Sequence, residues 1–285
     1  MPSVFNPFFG PNDRRKNTGD RRNTGNRNDN RRMTTNVGDR TIISFSPFVL
    51  KDKDVETAHI AEQPMAEQQV MLQEKSYKIR LANSKGSFNS ASMLVQRMYL
   101  QKGYDIPGMQ KMPDRITLTA GHNGNIAGTV TLGIDAGNGL MADENYKQEV
   151  DQLRAEGRRV CEMTKFAVDQ AHSSKRVLAA LFNVAYIFAR ILQKQTDVVI
   201  EVTPKHAKFY KRMLAFEKFG PERLNSRVNT VGVLLRLELE YMDRQIERWG
   251  GNAEEAQAQG ERSLYPYFFS KHDEEGITKR LLYGE

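Results

Sequence analysis

From residue 76 onwards, short apolar runs alternate with longer stretches of helical period. SYKIRLA (76–82) puts Tyr77, Ile79 and Leu81 on one face, the pattern of a half-buried strand. Ser87 or Asn89 then caps a predicted helix through ASMLVQRMYLQKGY, with Met93, Leu94, Met98 and Leu100 as its inward stripe. RITLTA (115–120) and NIAGTVTLGI (125–134) predict two strands joined at GHNG (121–124), a hairpin whose loop is longer than two residues. Residues 143–157 predict a polar helix ending at Gly157, and RRVCEMTKFAV (158–168) a strand. SSKRVLAALFNVAYIFARILQKQ (173–195) reads as the longest helix, with Ser173 or Ser174 as its cap. DVVIEVTP (197–204), HAKFYKRMLAF (206–216) and VNTVGVLLRLELE (228–240) predict strand, helix and strand. The order β-α-β-β-α-β-α-β-α-β implies an α/β (α+β) fold, with a partly parallel sheet covered on both faces and an antiparallel hairpin within it.

This core, taken as residues 76–249, is flanked by segments of different character. Residues 1–40 predict a disordered basic arm: from Asn12 to Arg32 no side chain is apolar, so nothing offsets the entropy of ordering. Residues 41–75 predict an extension packing on the core, with TIISFSPFVL (41–50) as a docking strand and 56–74 as a helix or cover. Residues 250–285 predict a polar linker, an aromatic patch LYPYFF (264–269) and an amphipathic end.

Charge refines this division. The net charge is +7, and residues 13–40 carry nine Arg and Lys against four Asp, so the basicity belongs mainly to the arm. The arm suits solubility, or transient contact with a membrane surface. No aromatic residue interleaves its arginines, and no specific nucleic-acid partner is predicted. A single cysteine, Cys161, excludes an intramolecular disulfide framework and a Cys-rich zinc site. His59, His122, His172 and His272 lack metal-ligand spacing, so no metal is predicted. VLAALFNVAYIFARIL (177–192) is interrupted by Asn183 and Arg190 and reads as a core helix rather than a membrane span. With no secretory signal in MPSVFNPFFG, the expected location is the cytoplasm.

One element departs from its own pattern. VCEMTKFAVD (160–169) is an apolar strand with Glu162 and Lys165 inside it. Strict alternation puts Glu162 on the same side as Thr164 and Phe166. Three roles fit Glu162: a carboxylate facing a substrate, a structural partner of Arg97 or Arg115, or an exposed edge position.

CEMTKFAVD (161–169) resembles the E-x-S-R-F-x-V segment of acyl-homoserine lactone synthases, with Thr164 and Lys165 in place of Ser and Arg. VTPKHAKFYKRMLAFEKFG (202–220) resembles the P-x-H-x-x-F-Y-x-x-x-x-F segment of the long-chain, FeeM-type N-acyl amino acid synthases. Both families have the GNAT acyltransferase fold. The resemblance therefore implies a mixed, mostly antiparallel sheet with two splayed central parallel strands and flanking helices. It implies transfer of a long-chain acyl group from the phosphopantetheine thioester of an acyl carrier protein to the α-amine of an amino acid. No tightly bound cofactor is implied; the thioester, on the carrier or on coenzyme A, is a co-substrate.

On the same resemblance, Glu162 is the group that accepts a proton from the amine, and the backbone of Phe166, Ala167 and Val168 holds the donor. Tyr210 protonates the departing thiolate, and His206, one turn earlier, is a second candidate base or a cap of its helix. Ser173, Ser174, Lys175 and Arg176 meet the phosphate at a helix start. QAHSSKRVLA there lacks the glycines of the acetyl-CoA enzymes, which favours a carrier-borne donor. Met93, Met98, Met109 and Met112 suit an acyl tunnel or plain core. The alternatives are a lactone synthase, an acetyl-CoA acetyltransferase, and a non-catalytic binding protein using the basic arm.

Overall fold

Among the described residues eight strands bond into one sheet, most of them rich in β-branched and other apolar residues. The computed structural model describes residues 39, 41–45, 76–169, 174–226 and 228–283. Its strands are β1 (Thr41–Phe45), β2 (Tyr77–Leu81), β3 (Arg115–His122), β4 (Asn125–Ile134), β5 (Val160–Val168), β6 (Asp197–Val202), β7 (Glu217–Asn225) and β8 (Thr230–Glu238), in the spatial order β1-β2-β3-β4-β5-β6-β8-β7. Only β5 and β6 run parallel to each other; the other neighbours are antiparallel. Helices α1 (Lys85–Leu100) and α2 (Asp143–Ala155) cover one face. The other face carries α3 (Lys175–Tyr186, continued by the π-helical turn Ile187–Leu192), α4 (Pro204–Leu214), α5 (Leu239–Trp249), the short α6 (Ala253–Ala258) and α7 (Lys271–Tyr283).

The expected elements from residue 76 onwards are present, with instructive differences. The β3–β4 strands extend further than their apolar runs, leaving a two-residue turn at Asn123 and Gly124, both at positive φ (48° and 81°). That is the turn whose twist matches a hairpin, and Asn-Gly is its preferred sequence. α1 starts earlier than predicted: Ser84 is its cap, its Oγ accepting from the Ser87 N–H. The inward stripe is Ala91, Leu94, Val95, Met98 and Tyr99, whereas Met93 and Leu100 are exposed.

β7 and α5 are not among the elements that the sequence pattern predicts. β7 is an edge strand with polar, mostly exposed side chains and a register irregularity between Lys218 and Glu222, so it carries no apolar alternation. α5 follows β8 without a break, and LELEYMDRQIERW hides the change from period two to period 3.6 within a single run. Within residues 250–283 the aromatic patch and the amphipathic end pack into the main core through Leu264, Tyr265, Phe268, Phe269, Ile277 and Leu281. β1 pairs with β2 as a docking strand, while residues 46–50, 56–74 and most of the basic arm lie outside the described residues. Among the described residues no helix is long and apolar enough to cross a membrane.

Candidate active site

The central parallel pair holds together over only three residue pairs. Val160, Cys161 and Glu162 face Asp197, Val198 and Val199; beyond that β5 runs on to Val168 and β6 to Val202 without pairing. The strands splay as the resemblance implied.

A bulge in β5 shapes the gap. Thr131 pairs with Thr164 and Thr129 with Ala167, so three steps on β5 match two on β4, and Lys165 takes φ 53°. An unbranched residue tolerates that left-handed conformation at a cost of about 1–2 kcal/mol. The bulge overturns the simple alternation: Phe166 belongs with Cys161 and Met163 against α3, on the opposite face from Thr164. Phe166 packs tilted against Phe182 of α3, their ring centroids 4.7 Å apart, and Phe182 meets the Tyr210 ring edge-on at 6.3 Å.

On the α2 face the register builds polar rows. Arg115 of β3, Gly133 of β4 and Glu162 of β5 lie side by side. Arg115 Nη1 donates to Glu162 Oε1 at 2.9 Å, with both side chains buried. A Cβ on Gly133 would stand 3.3 Å from both Arg115 Nη1 and Glu162 Cγ, so glycine leaves the room that the pair occupies. The other oxygen, Glu162 Oε2, accepts the Ala142 N–H at 2.9 Å. Arg154 holds the same loop by bonding Asp135 and Asp143. Of the two partners proposed for Glu162, Arg115 is the one present; Arg97 bonds Asp169 instead.

The next row is Thr117, Thr131 and Thr164, all buried, with the first two hydroxyls sharing a hydrogen bond at 2.9 Å. Among the described residues Thr164 Oγ1 is buried without a partner. Lys165 is also buried; desolvation, and then the Arg115 charge, bring its ammonium down to about 8. Across the gap stands Glu201 of β6, which the sequence reading passed over. It accepts from Asn145 Nδ2 at 2.9 Å and from Asn225. Burial, opposed by these two bonds and reinforced by the Glu162 charge, pushes its carboxyl up to about 7. The available signal was a carboxylate inside an apolar strand, DVVIEV, the same signal that marked Glu162.

The remaining predicted residues divide between two places. Tyr210 is buried on the α3 face among Phe182, Phe209 and Phe216, and burial holds its hydroxyl well above the usual tyrosine range. His206 Nδ1 and Thr203 Oγ1 share a hydrogen bond at 2.9 Å, at the start of α4 where Thr203 is the cap. α4 ends at Ala215 with φ 63°, the position commonly held by glycine. Ser174 caps α3 through the Val177 N–H; Ser173 lies outside the described residues. Lys175 sits over the Tyr267 ring at 5.2 Å, and Arg176 borders a cavity of about 330 Å³ shared with Glu254, Glu255 and Tyr267. The α3 start is thus flanked by the C-terminal segment. Met98 is buried and Met109 half-buried beside α1, but Met93 and Met112 are exposed, so the four do not line one tunnel.

A family model described as N-acyl amino acid synthase FeeM matches residues 90–238. Among solved structures, FeeM, an N-acyl amino acid synthase from uncultured soil microbes, is similar at 22% identity and a TM-score of 0.53, over 57% of this chain and 90% of that one. The AHL synthase LasI is similar at 13% identity and a TM-score of 0.43, over 57% and 90%. An N-acetyltransferase from Staphylococcus aureus Mu50 is similar at 13% identity and a TM-score of 0.41, over 57% and 98%. No curated protein matches the chain. The fold is similar to that of FeeM, with the mixed, mostly antiparallel sheet and flanking helices expected from the sequence.

Proposed function

Because the chain belongs to the FeeM family of N-acyl amino acid synthases, we propose that it moves a long-chain fatty acyl group from an acyl carrier protein thioester to the α-amine of an amino acid. The observation that carries this reading is the parting of β5 and β6 beyond Glu162 and Val199, with buried polar groups on one side and an aromatic layer on the other. An extended pantetheine arm fits such a gap by bonding to strand edges that have lost their ladder partner. The backbone of Phe166, Ala167 and Val168 then holds the thioester, and preorganised N–H donors at the carbonyl oxygen supply electrostatic stabilisation. Ser174, Lys175 and Arg176, with Ser173, meet the donor's phosphate.

In this reading the polar row at Glu162 receives the amino acid. Glu162 already holds Arg115 and the Ala142 N–H, so it fixes the site's charge and shape around the amine. Tyr210 gives a proton to the thiolate; its burial keeps the hydroxyl protonated at neutral pH. His206 sits one turn from Tyr210 on α4, where it can relay a proton or simply hold the helix start. The lone buried thiol of Cys161 suits a reducing cytoplasm.

The test is direct. The purified full chain is incubated with long-chain acyl carrier proteins and a mixture of amino acids, and products are sought by mass spectrometry. An N-acyl amino acid formed faster from the carrier than from acyl-CoA supports the proposal. Acetylated products made only from acetyl-CoA would replace it with an ordinary acetyltransferase. No product from any donor with folded protein would leave a non-catalytic member of the family.

A further inference from the structure

Pairing of Glu162 with Val199 sets Glu201, two residues further along β6, level with Thr164 across the widening gap. Val199 packs against Tyr146, Val150 and Leu153 of α2, and Glu201 shares that face by the two-residue period of a strand. The Asn145 bond agrees. Asn145 reaches down because α2 is kinked at Tyr146 (φ −131°, ψ 31°), and the Asn145 carbonyl, turned out of the helix, accepts from Arg223 of β7. Tyr146 lies flat against β7: a Cβ on Gly220 would come within 2.9 Å of two of its ring atoms.

Among the described residues, Thr164 Oγ1 and Arg115 Nε near this face are buried and have no partner, and the buried Tyr146 hydroxyl has only the Arg223 backbone N–H. Native interiors leave few such groups, because each costs about 1–3 kcal/mol. On the same face of the splay as Glu201, these groups can bond a small polar molecule. We infer that Glu201 takes the proton from the acceptor amine, and that Thr164 and Tyr146 hold the acceptor beside it. The acceptor's class follows from the charges: a primary amine for Glu201, carrying a second polar or anionic group for Arg115 and Lys165.

This inference rests on the proposed acyl transfer. The amine nitrogen attacks the thioester carbonyl carbon; the C–N bond forms, the C–S bond breaks and the electron pair leaves on sulfur. Glu201 takes the proton that the nitrogen sheds, Tyr210 gives one to the thiolate, and Glu201 returns its proton to Tyr210 through solvent. Amide and free thiol are the products. The charged or titratable groups that reach Glu201 are Glu162 of β5 and Tyr146 of α2; Lys165 and Arg115 act on Glu162's side of the gap, and Glu149 and Arg223 stand beside Tyr146. Its raised carboxyl suits a base that works near neutrality.

The test follows kcat/KM for the amine from pH 5.5 to 9 on the full chain, and measures binding of a panel of amino acids and simple primary amines by calorimetry. The wild type should show a rate rising with pH around 7. Glu201→Gln should lose about 100-fold and flatten that rise. Asn145→Ala should move the rise to higher pH, because the lost bond favoured the carboxylate. Thr164→Val and Tyr146→Phe should raise KM for the amine about tenfold with little change in kcat. A Glu201→Gln rate within threefold of wild type, or an unchanged pH rise, would overturn the inference. If the wild type turns over no donor, acyl transfer itself fails, and the calorimetry decides for Glu201: amine binding weakened at least tenfold in Glu201→Gln sustains it as the amine site, while no weakening, or no amine bound by the wild type, removes it.

Discussion

Asn183, at the centre of the most apolar helix, donates to Glu274 at 2.8 Å and accepts the Phe269 N–H at 2.8 Å. One amide therefore ties α3 to two points of the C-terminal segment, and all three groups are buried. Asn183→Leu would leave Glu274 Oε1 and the Phe269 N–H without partners, with only the Lys271 contact left to the carboxylate, at a cost of about 2–5 kcal/mol. Urea unfolding should show that loss, and Asn183→Leu/Glu274→Leu should recover much of it. A single variant as stable as wild type would mean that the segment is held by its apolar contacts alone.

Arg115 and Glu162 form a buried ion pair whose second carboxylate oxygen also fixes the Ala142 loop. Glu162→Gln strands a buried guanidinium and should cost about 3–5 kcal/mol, whereas Arg115→Met/Glu162→Met, which removes both charges, should cost far less. Activity should separate from stability: both variants lose turnover, because the amino acid meets this row. Full activity in the stable double variant would reduce the pair to scaffolding.

Glu162 was legible in the sequence because a charge inside an apolar strand needs a reason, and Tyr210 because its segment carried a family resemblance. Glu201 gave the same signal as Glu162 but lay outside any quoted motif. The facing of Phe166 was not legible, since strict alternation has no place for the extra residue that the bulge inserts at Lys165. β7 escaped for a different reason: its pairing with β8 is a backbone matter, and its exposed side chains carry no apolar period. The C-terminal contacts made by Asn183 depend on positions 86 and 91 residues away, beyond the reach of local pattern.

Tyr210 lies within an aromatic layer with Phe182, Phe209 and Phe216, so Tyr210→Phe keeps the packing and removes only the hydroxyl. Stability should hold to within about 1 kcal/mol, while turnover should fall about 100-fold if the hydroxyl protonates the thiolate. A donor whose thiol is more acidic needs that proton less, so an aryl thioester should restore most of the rate. Equal losses with both donors would argue for a packing role.

Glu201 links function to stability with a definite sign. Its carboxyl sits at about 7 when folded, against an ordinary 4.5. The folded state therefore binds the proton more tightly, and the stability this confers is present below pH 4.5 and lost as pH rises to 7. At 1.36 kcal/mol per pH unit the loss is on the order of 3 kcal/mol. Glu201→Gln is neutral at every pH, so it should match the wild type near pH 4 and exceed it by about 1–3 kcal/mol at pH 7.5. Lys165, lowered to about 8 from 10.5, has the opposite sign: its penalty is constant below 8 and lifts only as pH rises towards 10.5, so it does not distort this window. Denaturant unfolding at pH 4, 5.5 and 7.5 reads the difference. A gap between variant and wild type that stays flat across those points would show that Glu201 ionises in the fold as it does in water, and that burial on β6 does not poise it.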